Sequence, residues 1–154
     1  MKVQGRWCYL YRAIDHDGHL IDVRLSDMRD LPAAEAFFRS AWAVTGVTPD
    51  RITTDGHDAY PRAIRQVFGN QVRHRTNRYL NNHLEQDHRG IKQRYRPTYG
   101  LKTFATAERF FYIFDEIRAF LRPQSHRNQA LTLAHRWHIY QDRYAQLMGM
   151  MAAA

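Results

Sequence analysis

Two carboxylates and one lysine have the types and the spacing that metal-dependent chemistry on nucleic acid would need. Asp55 follows the β-leaning run Arg51–Thr54 and precedes Gly56, and ligands gather at the carboxyl ends of strands in open α/β sheets. Glu85 and Lys92 are seven residues apart in a predicted helix, so they project from nearly the same face. The alternatives are a turn-forming Asp-Gly pair and a solvated helix with ordinary i,i+4 pairs.

Basic and aromatic side chains surround the predicted helix that carries Glu85. Residues 73–102 contain eight cations and two anions, a net charge of +6. Tyrosines interleave with these cations, which suits neutralisation of a phosphate backbone together with aromatic contact to bases. The neighbouring positive charge would also keep the carboxylate of Glu85 ionised. The residues predicted to contact DNA are His88, Arg89, Lys92, Arg94, Tyr95 and Arg96.

Two hard carboxylates in a basic setting favour Mg²⁺ over zinc, because Mg²⁺ prefers oxygen ligands and bridges to substrate phosphates. Two such ions could activate a nucleophile and stabilise the leaving oxygen of a phosphodiester. That chemistry usually uses a third carboxylate, and the remaining sequence supplies no obvious one. The histidines match no zinc-binding pattern and are interpreted as surface or hydrogen-bonding residues: His57, His74, His83 and His88.

The composition is that of an ordinary globular chain with an uneven charge distribution. The 154 residues are 44% hydrophobic and 25% charged, with a net charge of +8. Residues 1–60 carry −2 and residues 61–154 carry +10, which favours a polyanionic partner such as nucleic acid; an arginine-coated solvated face is the alternative. No apolar run could span a membrane and no secretory signal is visible, so we expect a cytoplasmic protein. The single cysteine, Cys8, excludes an internal disulfide and is interpreted as a small strand hydrophobe.

Strand and helix patterns alternate along the chain. Strands are predicted over 6–14, 19–25, 51–54 and 71–75. Helices are predicted after the capping residue Asp30 as far as Gly46, over 58–68, over 81–94, from the cap Thr103 to Leu121, and over 129–148. This order predicts an α/β or α+β domain with a mixed sheet covered by helices. A ribonuclease-H-like fold is compatible with it, as are several others.

Apolar spacing predicts which side chains form the core. Ala34, Phe37, Phe38, Ala41 and Trp42 lie on one helical face, and Ala107, Phe110, Phe111, Phe114, Ile117 and Leu121 lie on another. Trp7, Tyr9 and Tyr11 are interpreted as core and cross-strand residues. The Met- and Ala-rich tail, 148–154, is expected to fray.

Several segments resemble bacterial DDE transposases of insertion-sequence family six. They read WCYLYRAIDHDG, ITTDGHDAYPRAIR, RYLNNHLEQDHRGIKQRYRPTYGLKTFATAERF and FDEIRAFLR, and the resemblance runs from about Lys2 to Leu121. It implies a ribonuclease-H-like catalytic domain whose Asp-Asp-Glu triad binds two Mg²⁺ (or Mn²⁺) ions. Such enzymes cleave DNA at element ends and join the freed 3′-hydroxyl to target DNA. By resemblance, Asp55 is the second Asp, Glu85 is the Glu, and Lys92 contacts DNA.

One part of the family pattern is not found in this sequence. The first Asp of the family lies in a strand just before Gly-Lys/Arg-Trp, and here the matching position would fall about four residues upstream of Met1. We therefore expect a ribonuclease-H-like domain over 1–121 that lacks most of its central first strand, with a C-terminal helical extension over 122–154. Losing that strand would leave two unpaired strand edges. Asp15 and Asp17 are unsuitable substitutes, because eight residues of strand carry the chain about 26 Å from Trp7.

The resulting hypothesis is a transposase catalytic domain that cannot transfer strands by itself. The alternatives are a DNA-binding regulator or dominant-negative partner of a full-length transposase, and a non-functional remnant. The resemblance further implies a homo-oligomer on DNA, with no membrane association.

Overall fold

A computed structural model describes residues 2–77, 91, 101–121 and 131–153. The elements, in chain order, are β1 (Lys2–Val3), β2 (Arg6–Trp7), β3 (Tyr9–Ile14), β4 (Leu20–Ser26), α1 (Leu31–Thr45), β5 (Arg51–Thr54), α2 (Ala59–Phe68), β6 (Arg73–Thr76), α3 (Phe104–Leu121) and α4 (Leu133–Ala152). The mixed α/β architecture is as predicted, while the helix predicted over 81–94 lies outside the described residues. Within the described ranges, no helix is both long enough and apolar enough to cross a membrane.

The strands pair in three two-stranded sheets within the part of the chain that the structure describes. Strands β1 and β2 form a hairpin whose turn residues, Gln4 and Gly5, both have positive φ, as a type I′ turn requires. Strands β3 and β4 are antiparallel, whereas β5 and β6 are parallel. Both kinds of pairing expected of a mixed sheet are therefore present. No described strand hydrogen-bonds to β3 and β5 at once, so the two pairs are not joined in one sheet.

A first hydrophobic core joins β3 and β5 through the helices α1 and α2. Its buried members are Tyr11, Ala34, Phe37, Phe38, Ala63, Ile64, Phe68 and Val72, with Ala13 and Ile52 packed against them. Helix α1 begins as predicted: the side chain of Asp30 accepts a hydrogen bond from the Ala33 amide at 3.0 Å. It ends at Gly46, whose φ of 65° places it in the left-handed region. This core keeps the two strand pairs in one body without hydrogen bonds between them.

A second core lies between the first hairpin, β4 and α3. Its buried members are Val3, Cys8, Leu25, Ile91, Leu101, Ala107 and Phe111. The amide of Gln4 donates to the carbonyl of Leu101 at 3.2 Å. This backbone hydrogen bond also joins the hairpin to the segment just before α3. Cys8 is buried, as its interpretation as a small hydrophobic residue predicts, but it lies between β2 and β3 and not in a strand. Its burial and its contact with Asp27 raise the pKa of its thiol.

Five of the sequence-based expectations for side chains and termini are wrong. Ile117, predicted for the core face of α3, is 39% exposed. Trp7 is 64% exposed, because it stands on the two-residue strand β2, where Lys2 Nζ lies 5.4 Å from its ring centroid. Tyr9 is also exposed, while Tyr11 is buried as expected. Trp42 is 44% exposed; it lies near the end of α1, with its ring 6.3 Å from that of Phe68. The tail does not fray at residue 148, because α4 continues to Ala152.

Candidate active site

Asp55 lies at the carboxyl end of β5, as the sequence predicts. The preceding residue, Thr54, is buried, and its carbonyl accepts a hydrogen bond from Asn77 at 3.0 Å. The hydroxyl of Thr54 lies 2.9 Å from Nε2 of His74 on β6. The parallel β5–β6 pair thus fixes the backbone immediately before Asp55, while the Asp55 side chain remains 44% exposed.

Gly56 allows the chain to turn away from β5 directly after Asp55. Its φ is +91°, a conformation that other residues adopt only with strain. A Cβ atom placed there would lie 2.7 Å from Cγ2 of Thr76, at the end of β6. Both the backbone angle and the closeness of β6 therefore require glycine. The exit of the chain beside Asp55 is consequently fixed by its neighbours.

The Asp55 carboxylate is paired with an arginine from the loop before α1. Nη2 of Arg29 lies 2.8 Å from Oδ2 of Asp55. Arg29 also interacts with Tyr60, on the first turn of α2, closely enough for each group to affect the pKa of the other. The amide of His57 donates to Oδ1 of Asp55 over a longer distance of 3.4 Å. Arg29 thus joins the end of β5 to the start of α2.

The titration of this cluster follows from burial and from the charges nearby. Burial alone would lower the pKa of Arg29, but its contacts with Tyr60 and Asp55 outweigh that effect and raise it. Burial raises the pKa of Tyr60, and the Asp55 charge adds to the increase while Arg29 opposes it. Both groups therefore stay protonated at neutral pH. Arg29 presents a permanent positive charge, and Tyr60 presents a neutral hydroxyl.

A separate group of potential metal ligands lies in the β3–β4 turn, where Asp15, Asp17 and His19 bring ligand atoms within 4.8 Å of one another. Oδ1 of Asp15 accepts hydrogen bonds from the amides of Asp17 and His19, at 2.9 and 2.8 Å. Its Oδ2 lies 2.9 Å from Nδ1 of His19. Burial raises the pKa of Asp15, but these hydrogen bonds outweigh burial and lower it. These contacts are those of an Asp-closed turn.

The other predicted site residues lie outside the described part of the chain. These are Glu85, His88, Arg89, Lys92, Arg94, Tyr95 and Arg96. Their roles, and the separation between Asp55 and Glu85, stay predictions. Ile91, which lies among them in sequence, is described and is buried in the second core.

Comparison with known proteins identifies the family. Residues 1–124 match the DDE domain of IS240-type transposases. The chain belongs to the DDE transposase family. The match includes Asp55 and its arginine partner, and it stops before α4. The family resemblance drawn from the sequence motifs is therefore confirmed.

The curated relatives from Staphylococcus aureus are named as transposases. The chain is 40% identical over 98 residues to the transposase for the insertion sequence-like element IS431mec of Staphylococcus aureus, covering 61% of this chain and 43% of that protein. The transposase for insertion sequence IS257 in transposon Tn4003, also from S. aureus, matches to the same extent. An uncharacterized protein of Yersinia pseudotuberculosis is 33% identical over 70 residues, which is 44% of this chain and 65% of that protein. The chain thus spans less than half the length of the transposases it matches, and no solved structure matches it.

Arg29 and Tyr60 are the two members of this site that the sequence did not reveal. Arg29 is one of 20 arginines in the chain, and it lies 26 residues before its carboxylate partner. Tyr60 follows Asp55 closely, within the segment that carries the family resemblance. Its position on the first turn of a helix that begins beside Asp55 was the feature of the sequence that could have indicated a place in the site.

Proposed function

We propose that this chain is the catalytic portion of an insertion-sequence transposase, with a ribonuclease-H-like domain over 1–121 and a helical extension over 122–154. Its substrates are DNA at the element ends and target DNA, and its location is the bacterial cytoplasm. The observation that carries the proposal is the placement of Asp55 at the carboxyl end of β5, beside Arg29, within residues that match a DDE domain. The names of the S. aureus relatives support the same activity.

In this proposal Asp55 and Glu85 hold a divalent cation, Mg²⁺ or Mn²⁺. The described half of the site fits such an ion, since Asp55 offers hard carboxylate oxygens on a partly exposed side chain. When bound, the ions would activate the attacking hydroxyl and stabilise the leaving oxygen of the phosphodiester. Arg29 balances the charge of Asp55. Its hydrogen bond to Oδ2 must break if that oxygen is to serve as a metal ligand.

Binding of Mn²⁺ to the 154-residue chain tests this assignment without requiring activity. Free Mn²⁺ is measured by electron paramagnetic resonance in the presence of the wild type and of three variants. Asp55→Asn should abolish binding, and Arg29→Gln should strengthen it severalfold, because a competing positive charge is removed. Arg51→Gln is the matched control, since Arg51 is an exposed residue at the start of the same strand. Unchanged binding in Asp55→Asn would contradict the assignment.

The basic stretch over 73–102 is proposed to contact the DNA backbone. Its net charge of +6 predicts binding that weakens steeply between about 50 and 200 mM salt. Fluorescence anisotropy with a labelled duplex measures this dependence. Lys92→Glu and Arg94→Glu should each weaken binding and reduce the salt dependence. Arg39→Glu, an exposed change on α1 in the acidic half of the chain, should have a smaller effect.

Joining of DNA ends separates the leading proposal from its alternatives. We expect the 154-residue chain to bind DNA without joining labelled element ends in Mg²⁺ or Mn²⁺, which is also how a regulator or dominant-negative partner would behave. Joining by this chain would contradict the expected inactivity. If joining also persisted in Glu85→Ala, that residue would not be a metal ligand. A cooperative thermal melt would exclude a remnant that does not fold.

A further inference from the structure

Helix α4 presents an unusual surface for a terminal helix. It follows the last residue matched by the DDE domain, residue 124, and none of its residues is buried. Six large apolar side chains lie exposed along one face, which we call the α4 stripe: Leu133, Trp137, Tyr140, Tyr144, Met148 and Met151. The proposed transposase function assigns no role to this surface.

The stripe is straight and flat. Its successive spacings of 4, 3, 4, 4 and 3 residues cover 18 residues in five turns, which equals the 3.6-residue period of an undistorted helix and gives a length of about 27 Å. The rings of Trp137 and Tyr140 are 5.7 Å apart with planes 15° from parallel, and those of Tyr140 and Tyr144 are 6.2 Å apart at 14°. Stacking of this kind produces a continuous ribbon of aromatic surface on one side of the helix.

A different row of α4 residues contacts the rest of the chain. Ile139, Arg143 and Leu147 are half-buried, at a spacing of four residues. Nη1 of Arg143 donates to the carbonyl of Phe120 at 2.9 Å, which ties α4 to the end of α3. The attachment of α4 to its own chain therefore leaves the stripe exposed.

The charges on α4 favour a second copy of this chain over DNA as the partner. The helix carries two cations and one anion, in a chain with a net charge of +8. A phosphate backbone would be drawn to the stretch over 73–102, which carries +6. Two basic chains, in contrast, repel each other least where their surfaces carry the least charge. The weakly charged α4 is such a surface.

The area of the stripe is also sufficient for self-association. A large aromatic side chain buries roughly 150–250 Å² in full. The three in the stripe are 36–59% exposed, so about half of that area is available to a partner, together with the exposed parts of Leu133, Met148 and Met151. The total for the stripe is on the order of the ~800 Å² per partner that a stable interface needs. Trp and Tyr are also the residue types that contribute most binding energy at such surfaces.

We propose that the α4 stripe is a self-association surface, on which α4 of a second copy packs through the same six side chains. The dimer brings two DDE domains together from outside the domain itself. Formation of this dimer requires neither DNA nor metal. The proposal can therefore be tested independently of the proposed transposase function.

The test is the mass of the full 154-residue chain in solution, measured by sedimentation equilibrium without DNA at moderate salt. The wild type should shift from 18.3 kDa towards twice that mass as its concentration rises. Trp137→Glu and Tyr144→Glu should each raise the dissociation constant on the order of tenfold or more. Gln146→Glu adds the same charge at an exposed position away from the stripe and should leave the constant unchanged.

Three results would overturn the proposal. The first is a wild type that remains monomeric up to several hundred micromolar, and the second is a dimer that both stripe variants leave intact. The third is a monomeric wild type whose DNA binding is weakened by Trp137→Glu but not by Gln146→Glu, which would assign the stripe to nucleic acid. Thermal melting checks that the two stripe variants fold. Since the stripe is exposed, both should melt at the same temperature as the monomeric wild type.

Discussion

Arg12 and Asp115, 103 residues apart in sequence, form a buried two-pronged ion pair. Nε and Nη2 of Arg12 donate to Oδ2 and Oδ1 of Asp115 at 3.0 and 2.7 Å. Their side chains are 4% and 1% exposed. The pair joins β3 to α3 across the second core, so it connects the part of the domain before Asp55 with the part after the predicted DNA-binding stretch.

Removing one partner of this pair should destabilise the domain strongly. Asp115→Ala leaves the guanidinium of Arg12 buried without its carboxylate, and breaking such a pair costs about 3–5 kcal/mol. Urea unfolding measures the loss in the free energy of unfolding. The matched control is Glu116→Ala, since Glu116 is the next residue of α3 and is exposed; it should change stability little.

The double variant Arg12→Met/Asp115→Leu distinguishes the net contribution of the ion pair to stability from the penalty of removing only one of its two charges. We expect it to be more stable than Asp115→Ala alone, because the buried guanidinium of Arg12 is removed as well and apolar side chains fill the space. If Asp115→Ala unfolded no more readily than Glu116→Ala, the ion pair would have no structural role.

The two helix starts at Asp30 and Asp58 offer a direct comparison of capping. The side chain of Asp30 accepts the Ala33 amide, whereas Asp58, at the same position before α2, makes no capping hydrogen bond. Asp30→Ala should therefore lower the free energy of unfolding by about 0.5–2 kcal/mol, and Asp58→Ala by much less. Chemical denaturation of both variants measures the difference. Equal losses would mean that the charge near the helix, and not the hydrogen bond, stabilises α1.

Stability should decline in mild acid because of His74. Burial lowers the pKa of His74 below its ordinary value near 6.5, so over this range the unfolded chain binds more protons than the folded one. The free energy of unfolding therefore falls as the pH is lowered from about 6.5 through the folded-state pKa. The pKa of Asp15 is lowered from an ordinary 3.8, so its protonation affects the free energy of unfolding only at lower pH.

Unfolding measured at pH 7.5 and pH 5.5 checks this dependence. His74→Gln keeps a hydrogen-bonding group beside the Thr54 hydroxyl but cannot titrate, so it should lose less stability than the wild type between the two pH values. His138→Gln, on the exposed side of α4, should behave as the wild type does. The opposite order would assign the acid sensitivity to another group.

Local elements could be predicted because neighbouring residues determine them. Helix α1 combines an N-cap, an apolar stripe and a terminal glycine within 17 residues, from Asp30 to Gly46, and it forms as expected. The exposure of Trp42 could not be predicted, because its position on the apolar face of α1 does not reveal where the opposing core ends. The two-pronged contact of Arg12 with Asp115 was equally inaccessible, since nothing local marks residues so far apart in sequence as partners.

The candidate site was predictable in part for the same reason. The position of Asp55 follows from a strand pattern and a glycine beside it, and both are local. Its partner Arg29 comes from a loop before α1, so their contact depends on how α1 packs against the strands. The strand order across the β3–β4 and β5–β6 pairs is likewise a long-range property, which the spacing of apolar residues does not specify.

Gly56 provides the sharpest structural test of how Asp55 is positioned. In Gly56→Ala the new methyl group would meet Cγ2 of Thr76 at 2.7 Å, and a φ of +91° is itself strained for alanine. Gly46→Ala has positive φ but open space around the new methyl group, so it should cost only the backbone strain, about 1–2 kcal/mol. Gly56→Ala should cost more than this, as measured by urea unfolding. Adding Thr76→Ser, which removes Cγ2, should recover only the steric part; no recovery would show that backbone strain alone fixes the turn beside Asp55.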